Sequence, residues 1–372
     1  MYYIGLMSGT SMDAVDTALL DFENSSFQVI EYTQYPFPEA LRAALRKITT
    51  RTSIGKITRL DSMLGHLFAD SVLSMIAQTQ IPPREIAAIG CHGQTVMHLP
   101  RDKYPRTLQI GDANIIACKT GIRTVADFRR MDMAAGGEGA PLAPAFHANY
   151  FRAEGINRVI LNIGGIANIT ILASDPDAAI TGFDTGPGNG LLDDWHQLHR
   201  GTGMDTEGNW AGSGKTNNEL LKHLLNEPFF TAPPPKSTGR DFFNLDWLNG
   251  KLSSWCRRPA AEDVQATLLA LTAHSIAGAI RQHAPHTDEI YICGGGVHNP
   301  LLIKGLKERL PGKKIESTET LGVHPDAVEA VTFAWLAKRR VDKLSGNLPS
   351  VTGAEKAVIL GAEFYPANRG QA

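Results

Sequence analysis

Two stretches of this chain share one grammar, and that grammar limits the possible fold more than any other feature. Residues 2–22 run from an apolar segment, Tyr2 to Met7, through the small polar cluster Ser8-Gly9-Thr10-Ser11, into a second apolar segment carrying Val15, Ala18, Leu19, Leu20 and Phe22. Residues 158–172, Arg-Val-Ile-Leu-Asn-Ile-Gly-Gly-Ile-Ala-Asn-Ile-Thr-Ile-Leu, repeat the pattern, with Gly164-Gly165 in the place of Gly9-Thr10. Short apolar runs joined by a turn of small residues predict strand–turn–strand hairpins. A third turn, Gly294-Gly295-Gly296, ends the apolar run Glu289–Cys293 and leads to Asn299. Without a Cβ in the way, the N–H groups of such turns can point at a phosphate tail. Asp13 and Asp16 stand beside the first turn, where they would hold the hydration shell of Mg²⁺. An ordinary hairpin with a serine-rich turn accounts for the same residues.

Length and composition narrow the class. A chain of 372 residues exceeds what one hydrophobic core usually holds, so two domains are expected. Apolar residues at 43% and charged residues at 20% fit a globular protein rather than a disordered one. A net charge of −2 without a basic block argues against a nucleic-acid partner. Cys91, Cys118, Cys256 and Cys293 are scattered and form no CxxC pair, which fits a reducing compartment. No basic segment followed by an apolar core opens the chain, and no apolar run approaches membrane-spanning length; a cytoplasmic protein without a membrane partner is expected.

Between the hairpins, residues 38–48 and 56–78 have helical spacing, with Leu60, Leu64, Leu67, Phe68 and Met75 on one face of the second. Ile86 to Gly90 reads as a buried strand that ends at Cys91-His92-Gly93-Gln94-Thr95. Polar residues just past a strand's C-terminal end are where α/β folds place ligands; a satisfied structural histidine is the alternative for His92. The run 134–144 is too rich in glycine and proline for a regular element and reads as a connection or lid. Arg129 offers the two-point geometry that suits a substrate carboxylate, or else a surface salt bridge.

Asp184 sits in Gly182-Phe-Asp-Thr-Gly-Pro-Gly-Asn189, where a strand gives way to a rigid turn. A carboxylate oriented in that way suits a general base; capping the following helix is the alternative. Lys236 and Arg240 close a proline-started loop, either near phosphate or in solvent. Gly212-Ser-Gly-Lys-Thr216 resembles the end of a P-loop, but Asn209 stands where the first glycine belongs and no buried strand precedes it. Residues 263–283 predict a long helix with Asp263 as its N-cap, another helix is expected from Pro300, and the last spans about 326–340. That last helix carries Glu329 in its first turn, where the helix dipole favours an acid.

Eight motifs in order carry a family resemblance: Met7-Ser-Gly-Thr-Ser-Met-Asp13, His92-Gly-Gln-Thr95, Asp127-Phe-Arg129, Gly136-Gly-Glu-Gly-Ala-Pro-Leu142, Asn162-Ile-Gly-Gly-Ile-Ala-Asn168, Gly182–Asn189, Pro234-Pro-Lys-Ser-Thr-Gly-Arg240 and Glu329–Leu336. From Tyr3 to about Gly361 the chain resembles the anhydro-N-acetylmuramic acid kinase family, within the actin-like, hexokinase-like and heat-shock-chaperone ATPase superfamily. The resemblance implies an α/β, two-domain actin-like (ribonuclease H-like) fold with a duplicated core and an interdomain cleft. The domains would be 1–130 and 131–372, with a C-terminal helix near 340–372 packing back on the first.

It implies ATP and Mg²⁺ as cofactors, an anhydro amino sugar as substrate and a homodimer. Nucleotide would contact Gly9, Thr10, Ser11, Met12, Asp13, Ala14, Val15 and Asp16, then Gly164, Gly165, Gly294, Gly295, Gly296 and Asn299. Sugar would contact His92, Arg129, Gly186 and Asn189, with Asp184 and Glu329 catalytic and Asp13 and Asp16 near the metal through water. The implied reaction is hydrolytic opening of the 1,6-anhydro ring with phosphorylation of O6. The rivals are a nucleotide-independent glycosidase-like hydrolase using Asp184 and Glu329, and an actin-like or chaperone ATPase.

Overall fold

The computed structural model describes residues 1–9, 12–23, 26–255 and 259–367. Thr10, Ser11 and Cys256 therefore lie outside the described residues. The chain forms two compact units, one of Met1–Phe146 with Ala327–Ala372, the other of His147–Asp326.

The first unit is built on a six-stranded sheet. Its strands are β1 (Tyr2–Met7), β2 (Ala14–Glu23), β3 (Ser26–Pro36), β4 (Ile86–Cys91), β7 (Thr124–Ala126) and β13 (Ala362–Phe364), in the order β13-β7-β4-β1-β2-β3. A separate hairpin pairs β5 (Gln94–Leu99) with β6 (Arg106–Ile110). The second unit carries β8 (Arg158–Ile163), β9 (Ile166–Leu172), β10 (Thr181–Pro187), β11 (Glu289–Cys293) and β12 (Lys314–Ser317), ordered β10-β9-β8-β11-β12. In both sheets an antiparallel three-strand meander is extended by parallel strands added beside its first member. The same topology occurs once per unit, which is the duplicated ribonuclease H-like core of actin-like proteins.

Apolar periodicity explains the packing. Leu60, Leu64, Phe68 and Met75 of the helix Ile54–Thr79 meet Ile4, Leu6, Val15 and Leu19 of the first sheet in one core. Ser53 caps this helix by accepting from the Lys56 N–H, and Gln80 ends it in a left-handed conformation. In the second unit the helix Ala261–His283 serves two cores. Ala273, Ile276 and Ile280 pack on the sheet, while Val264, Leu268 and Leu271 join Trp195, Leu220 and Leu248 in a helical cluster. Burying each such leucine or isoleucine contributes about 1.5–3 kcal/mol. The expected N-cap of this helix is corrected: Ala260 occupies that position, and the Asp263 carboxylate instead accepts from the Lys215 N–H at 2.7 Å.

The expected domain boundaries are also corrected, because the first unit is discontinuous. Residues 131–146 and the chain from 327 belong to it, the latter including the C-terminal segment near 340–372 that was expected to pack back on it. The helix Val328–Val341 lies on β1 and β4, and β13 pairs with β7. Where a C-terminal helix was expected near 340–372, the segment supplies the short helix Pro349–Thr352 and the strand β13. The glycine-rich run around 134–144 is anchored within the first unit and is not a free joint. Asp132 accepts from the Gly139 N–H at 2.8 Å, and the Glu138 N–H donates to the Thr352 carbonyl at 2.8 Å.

Candidate active site

In the second unit, β10 carries Asp184 at a β-bulge. Asp184 pairs with Asn168, whereas Gly186 pairs with Ala167, so Thr185 is the extra residue. Two backbone bonds frame Asp184: its N–H donates to the Lys236 carbonyl at 3.1 Å, and its Oδ2 accepts from the Thr238 N–H at 2.9 Å. Capping of the following helix, the alternative from sequence, does not occur. Asn189 holds the N-cap position of Gly190–Arg200, and no side chain caps it. The carboxylate is half-buried and fixed by strand and loop backbone on both sides.

Lys236 does not lie in solvent, one of the two places the sequence allowed it. It is 7% exposed, and its Nζ donates to the carbonyls of Phe229 at 2.9 Å and Phe230 at 3.2 Å, 4.8 Å above the Phe229 ring. Burial pulls its pKa down, and the nearby Asp184 charge opposes that shift. Arg240 is paired with Asp194 at 2.5 Å.

The turn after β10 folds onto the second hairpin. N–H groups of Gly188, Asn189 and Gly190 donate to the carbonyls of Gly165, Gly164 and Gly165 at 3.0, 2.8 and 3.0 Å. A Cβ on Gly188 would sit 2.3 Å from the Gly164 oxygen, so only glycine permits this approach. The carbonyls of Gly164 and Gly165 are therefore engaged by the Asp184 loop, which ties the hairpin to the candidate base.

The late glycine turn is equally tight. Gly294 has φ +78°, and a Cβ there would lie 2.4 Å from the Asn162 Oδ1. Asn299 caps the helix Pro300–Arg309, its Oδ1 accepting from the Leu302 N–H at 3.1 Å. Beside that helix N-terminus opens a pocket of about 440 Å³ lined by Glu207, Asn209, Gly212, Ser213, Pro300 and Leu301. Sequence reasoning missed it; its one local sign was the Gly212–Thr216 stretch, legible only as a failed P-loop.

In the first unit, the helix Val328–Val341 crosses the sheet at two glycines. A Cβ on Gly5 would fall 1.8 Å from the Ala330 oxygen, and one on Gly90 2.0 Å from the Phe333 oxygen. This contact brings Glu329, Arg129 and His92 into one neighbourhood. Arg129 is not the surface salt bridge allowed by sequence: its Nε donates to His92 Nε2 at 3.0 Å and its Nη1 to the Gly139 carbonyl at 2.8 Å. Since a guanidinium only donates, His92 accepts at Nε2 and carries its proton at Nδ1. Burial and the adjacent Arg129 charge hold His92 well below the usual histidine range, so it is neutral. Its Nδ1 is buried without a hydrogen-bond partner, and its ring lies 4.6 Å from that of Phe333.

Burial lowers Arg129 to about 10, still a cation at neutral pH, with Glu329 and then Asp132 opposing the shift. Glu329 moves the other way. Burial, reinforced by Asp16, raises it to about 7 against the attraction of Arg129. Desolvation thus outweighs the helix dipole that favours an acid in a first turn.

Asp16 accepts from the Tyr32 hydroxyl at 2.6 Å and from Gln34 Nε2 at 3.0 Å, both at Oδ1. Asp13 is exposed and pairs with Arg42 at 2.9 Å. Met12 holds the turn in a left-handed conformation, φ 56°, its N–H donating to the Gly9 carbonyl at 3.3 Å. Ala14 and Val15 begin β2, with Val15 facing the core. Among the described residues no cluster of three or more His, Cys, Asp or Glu could hold a metal ion directly. No helix among them is long and apolar enough to cross a membrane.

A duplicated ribonuclease H-like core with glycine turns at its hairpins, and one perturbed or fixed carboxylate per unit, defines an actin-like α/β enzyme. The family model described as anhydro-N-acetylmuramic acid kinase matches residues 1–366. Proteins of that name from Coxiella burnetii and Pasteurella multocida are each 50% identical to this chain. The first covers 98% of this chain and 97% of its own, the second 99% and 98%. A third, from Haemophilus influenzae, is 47% identical over 98% of this chain and 97% of its own. The chain belongs to the anhydro-N-acetylmuramic acid kinase family and is a sugar kinase. Solved structures give looser likenesses. The (R)-2-hydroxyglutaryl-CoA dehydratase component A of Acidaminococcus fermentans has TM-score 0.46 at 10% identity, covering 90% of this chain and 98% of that one.

Proposed function

We propose that this chain opens the 1,6-anhydro ring of anhydro-N-acetylmuramic acid with water and phosphorylates the freed O6 from ATP. The products are N-acetylmuramic acid 6-phosphate and ADP. The observation that carries the reading is the fixed carboxylate of Asp184 on the bulged strand, within a chain that matches the family nearly end to end.

In this reading Asp184 removes a proton from a water molecule as the water oxygen bonds to C1. The C1–O6 bond breaks, and O6 then forms a bond to the γ-phosphorus while the bond to the ADP oxygen breaks. One water and one ATP are consumed per sugar, and one proton is released. The Thr238 N–H orients Asp184, and the Lys236 backbone carbonyl holds its N–H. Arg129, cationic and forked, would meet an anionic group on the sugar, with His92 behind it. Glu329, poised near neutrality, would exchange a proton with the reacting oxygens. Gly186 and Asn189 would shape the sugar side of the Asp184 loop.

For nucleotide, the N–H groups of the Gly9–Asp16 and Gly164-Gly165 turns would meet phosphates. Gly294, Gly295, Gly296 and Asn299, with the neighbouring pocket, would receive the adenosine. Mg²⁺ would neutralise phosphate charge. The donor set fits an outer-sphere role only: Asp16 already accepts two hydrogen bonds at Oδ1, and Asp13 would have to give up an exposed ion pair of small worth. The family's homodimer and a cytoplasmic location complete the proposal.

The test is a reaction in H₂¹⁸O with anhydro sugar and ATP, followed by mass spectrometry. One ¹⁸O at C1 and a phosphate on O6, both strictly dependent on ATP, are expected. Ring opening without ATP would favour the glycosidase reading, and ATP hydrolysis indifferent to the sugar would favour the chaperone-like one.

A further inference from the structure

Asp132 is the most thoroughly engaged buried carboxylate of the first unit, and the reaction above does not use it. It is fully buried. Its Oδ1 accepts from Asn347 Nδ2 at 2.7 Å and from the Thr352 hydroxyl at 2.7 Å, and its Oδ2 from the Gly139 N–H at 2.8 Å. Three donors are about what a buried carboxylate needs to offset its desolvation. Two come from the segment after the last long helix, more than two hundred residues along the chain.

The third donor leads to the candidate site. Gly139 gives its N–H to Asp132 and its carbonyl to Arg129 Nη1, both at 2.8 Å. Arg129 and Asp132 lie three residues apart on the helix Phe128–Ala134, so they share one side of it. Gly139 closes the ring at φ +70°. A Cβ there would lie 2.8 Å from the Met133 Cγ and 3.1 Å from the Arg129 carbonyl, so the residue has little freedom to shift. The loop is pinned again by the Glu138 N–H on the Thr352 carbonyl and by the Glu355 N–H on the Ala135 carbonyl, each at 2.8 Å.

We propose that Asp132 is a positioning residue: through Gly139 it fixes where the Arg129 guanidinium points, with Asn347 and Thr352 as its supports. The C-terminal segment 347–358 is thereby part of the sugar-reading apparatus without touching sugar. This rests on the proposed contact between Arg129 and the sugar.

The test is a double-mutant cycle on the full-length enzyme, with KM for sugar, KM for ATP and thermal melting measured on each preparation. Arg129→Lys is expected to raise the sugar KM about tenfold or more, since a lysine cannot reproduce two-point contact. Asp132→Asn is expected to raise the sugar KM about fivefold with ATP KM unchanged, and to add less than about twofold in the Arg129→Lys background. Thr352→Val, a milder change, is expected to show the same split at about threefold and serves if Asp132→Asn does not fold. Equal rises in both KM values, no rise, or full additivity with Arg129→Lys would overturn the positioning role. An unchanged sugar KM in Arg129→Lys would instead overturn the contact on which it rests.

Discussion

The two units use one sheet topology to opposite ends. Gly5 of β1 faces Gly90 of β4 in register; the corresponding pair in the second unit, two residues before the hairpin turn, is Leu161 of β8 and Ile292 of β11. In the first unit the missing side chains let a helix backbone settle directly on the sheet. In the second, the side chains fill that space, and Leu161 and Ile292 are essentially unexposed. The consequence is electrostatic. The close helix sets the half-buried Glu329 near Asp16, and burial raises its pKa to about 7. The second unit keeps its carboxylate on the strand, held by the Thr238 N–H near the buried Lys236. One topology thus yields a carboxyl group raised to about 7 by burial and a carboxylate held in place by strand and loop backbone.

The largest effect should come from reversing the packing rule in each unit. Gly5→Val puts carbon where a backbone oxygen stands and should cost about 3 kcal/mol or more, or abolish folding. Leu161→Ala should cost about 2–5 kcal/mol for the opposite reason, a cavity. Denaturant melts of both variants check this; a Gly5→Val protein as stable as wild type would mean the helix does not rest on the strand.

A smaller effect should separate anchoring from phosphate binding. Lys236→Met removes the charge and both carbonyl contacts, so the loop that frames Asp184 loosens and kcat should fall about tenfold. ATP affinity should stay within about twofold. Steady-state kinetics decide: a selective loss of ATP affinity would return Lys236 to the phosphate.

The smallest effect is a pH signature. Glu329 is raised in the folded state, so the fold favours its protonated form. That contribution is complete below about pH 4.5, fades as pH climbs, and is gone above about 7. Glu329→Gln should therefore melt higher than wild type at pH 8, with the difference shrinking toward pH 5. Parallel melting curves across that range would show that Glu329 is well solvated.

Local features were legible in the sequence. The strand bounds Tyr2–Met7 and Glu289–Cys293, the helix start at Pro300 and the two glycine hairpins all follow from short-range apolar periodicity and turn chemistry. Long-range features were not. Nothing near Asp132 in the chain announces partners at Asn347 and Thr352, nor does a lysine in a proline-rich loop announce burial among phenylalanines. The return of the chain's end to the first unit was implied by the resemblance as a helix near 340–372, but its actual form, the packing of the helix Val328–Val341 on the sheet and the pairing of the three-residue strand β13 with β7, had no periodicity to announce it. Asp184 and Glu329 were both singled out in the sequence as candidate carboxyl groups, but the difference in their settings was not legible, because it comes from the glycine pair that admits one helix and the loop backbone that frames one strand.

In the proposed reaction Asp184 is the base that activates water. The most direct measurement compares Asp184→Asn with wild type for sugar phosphorylation, ATP affinity and melting temperature on the same preparation. Turnover should fall by about two to four orders of magnitude while ATP affinity and melting temperature hold, and ring opening should fall together with phosphate transfer. A folded Asp184→Asn enzyme that phosphorylates the anhydro sugar at near wild-type rate would contradict the account and make Glu329 the next candidate.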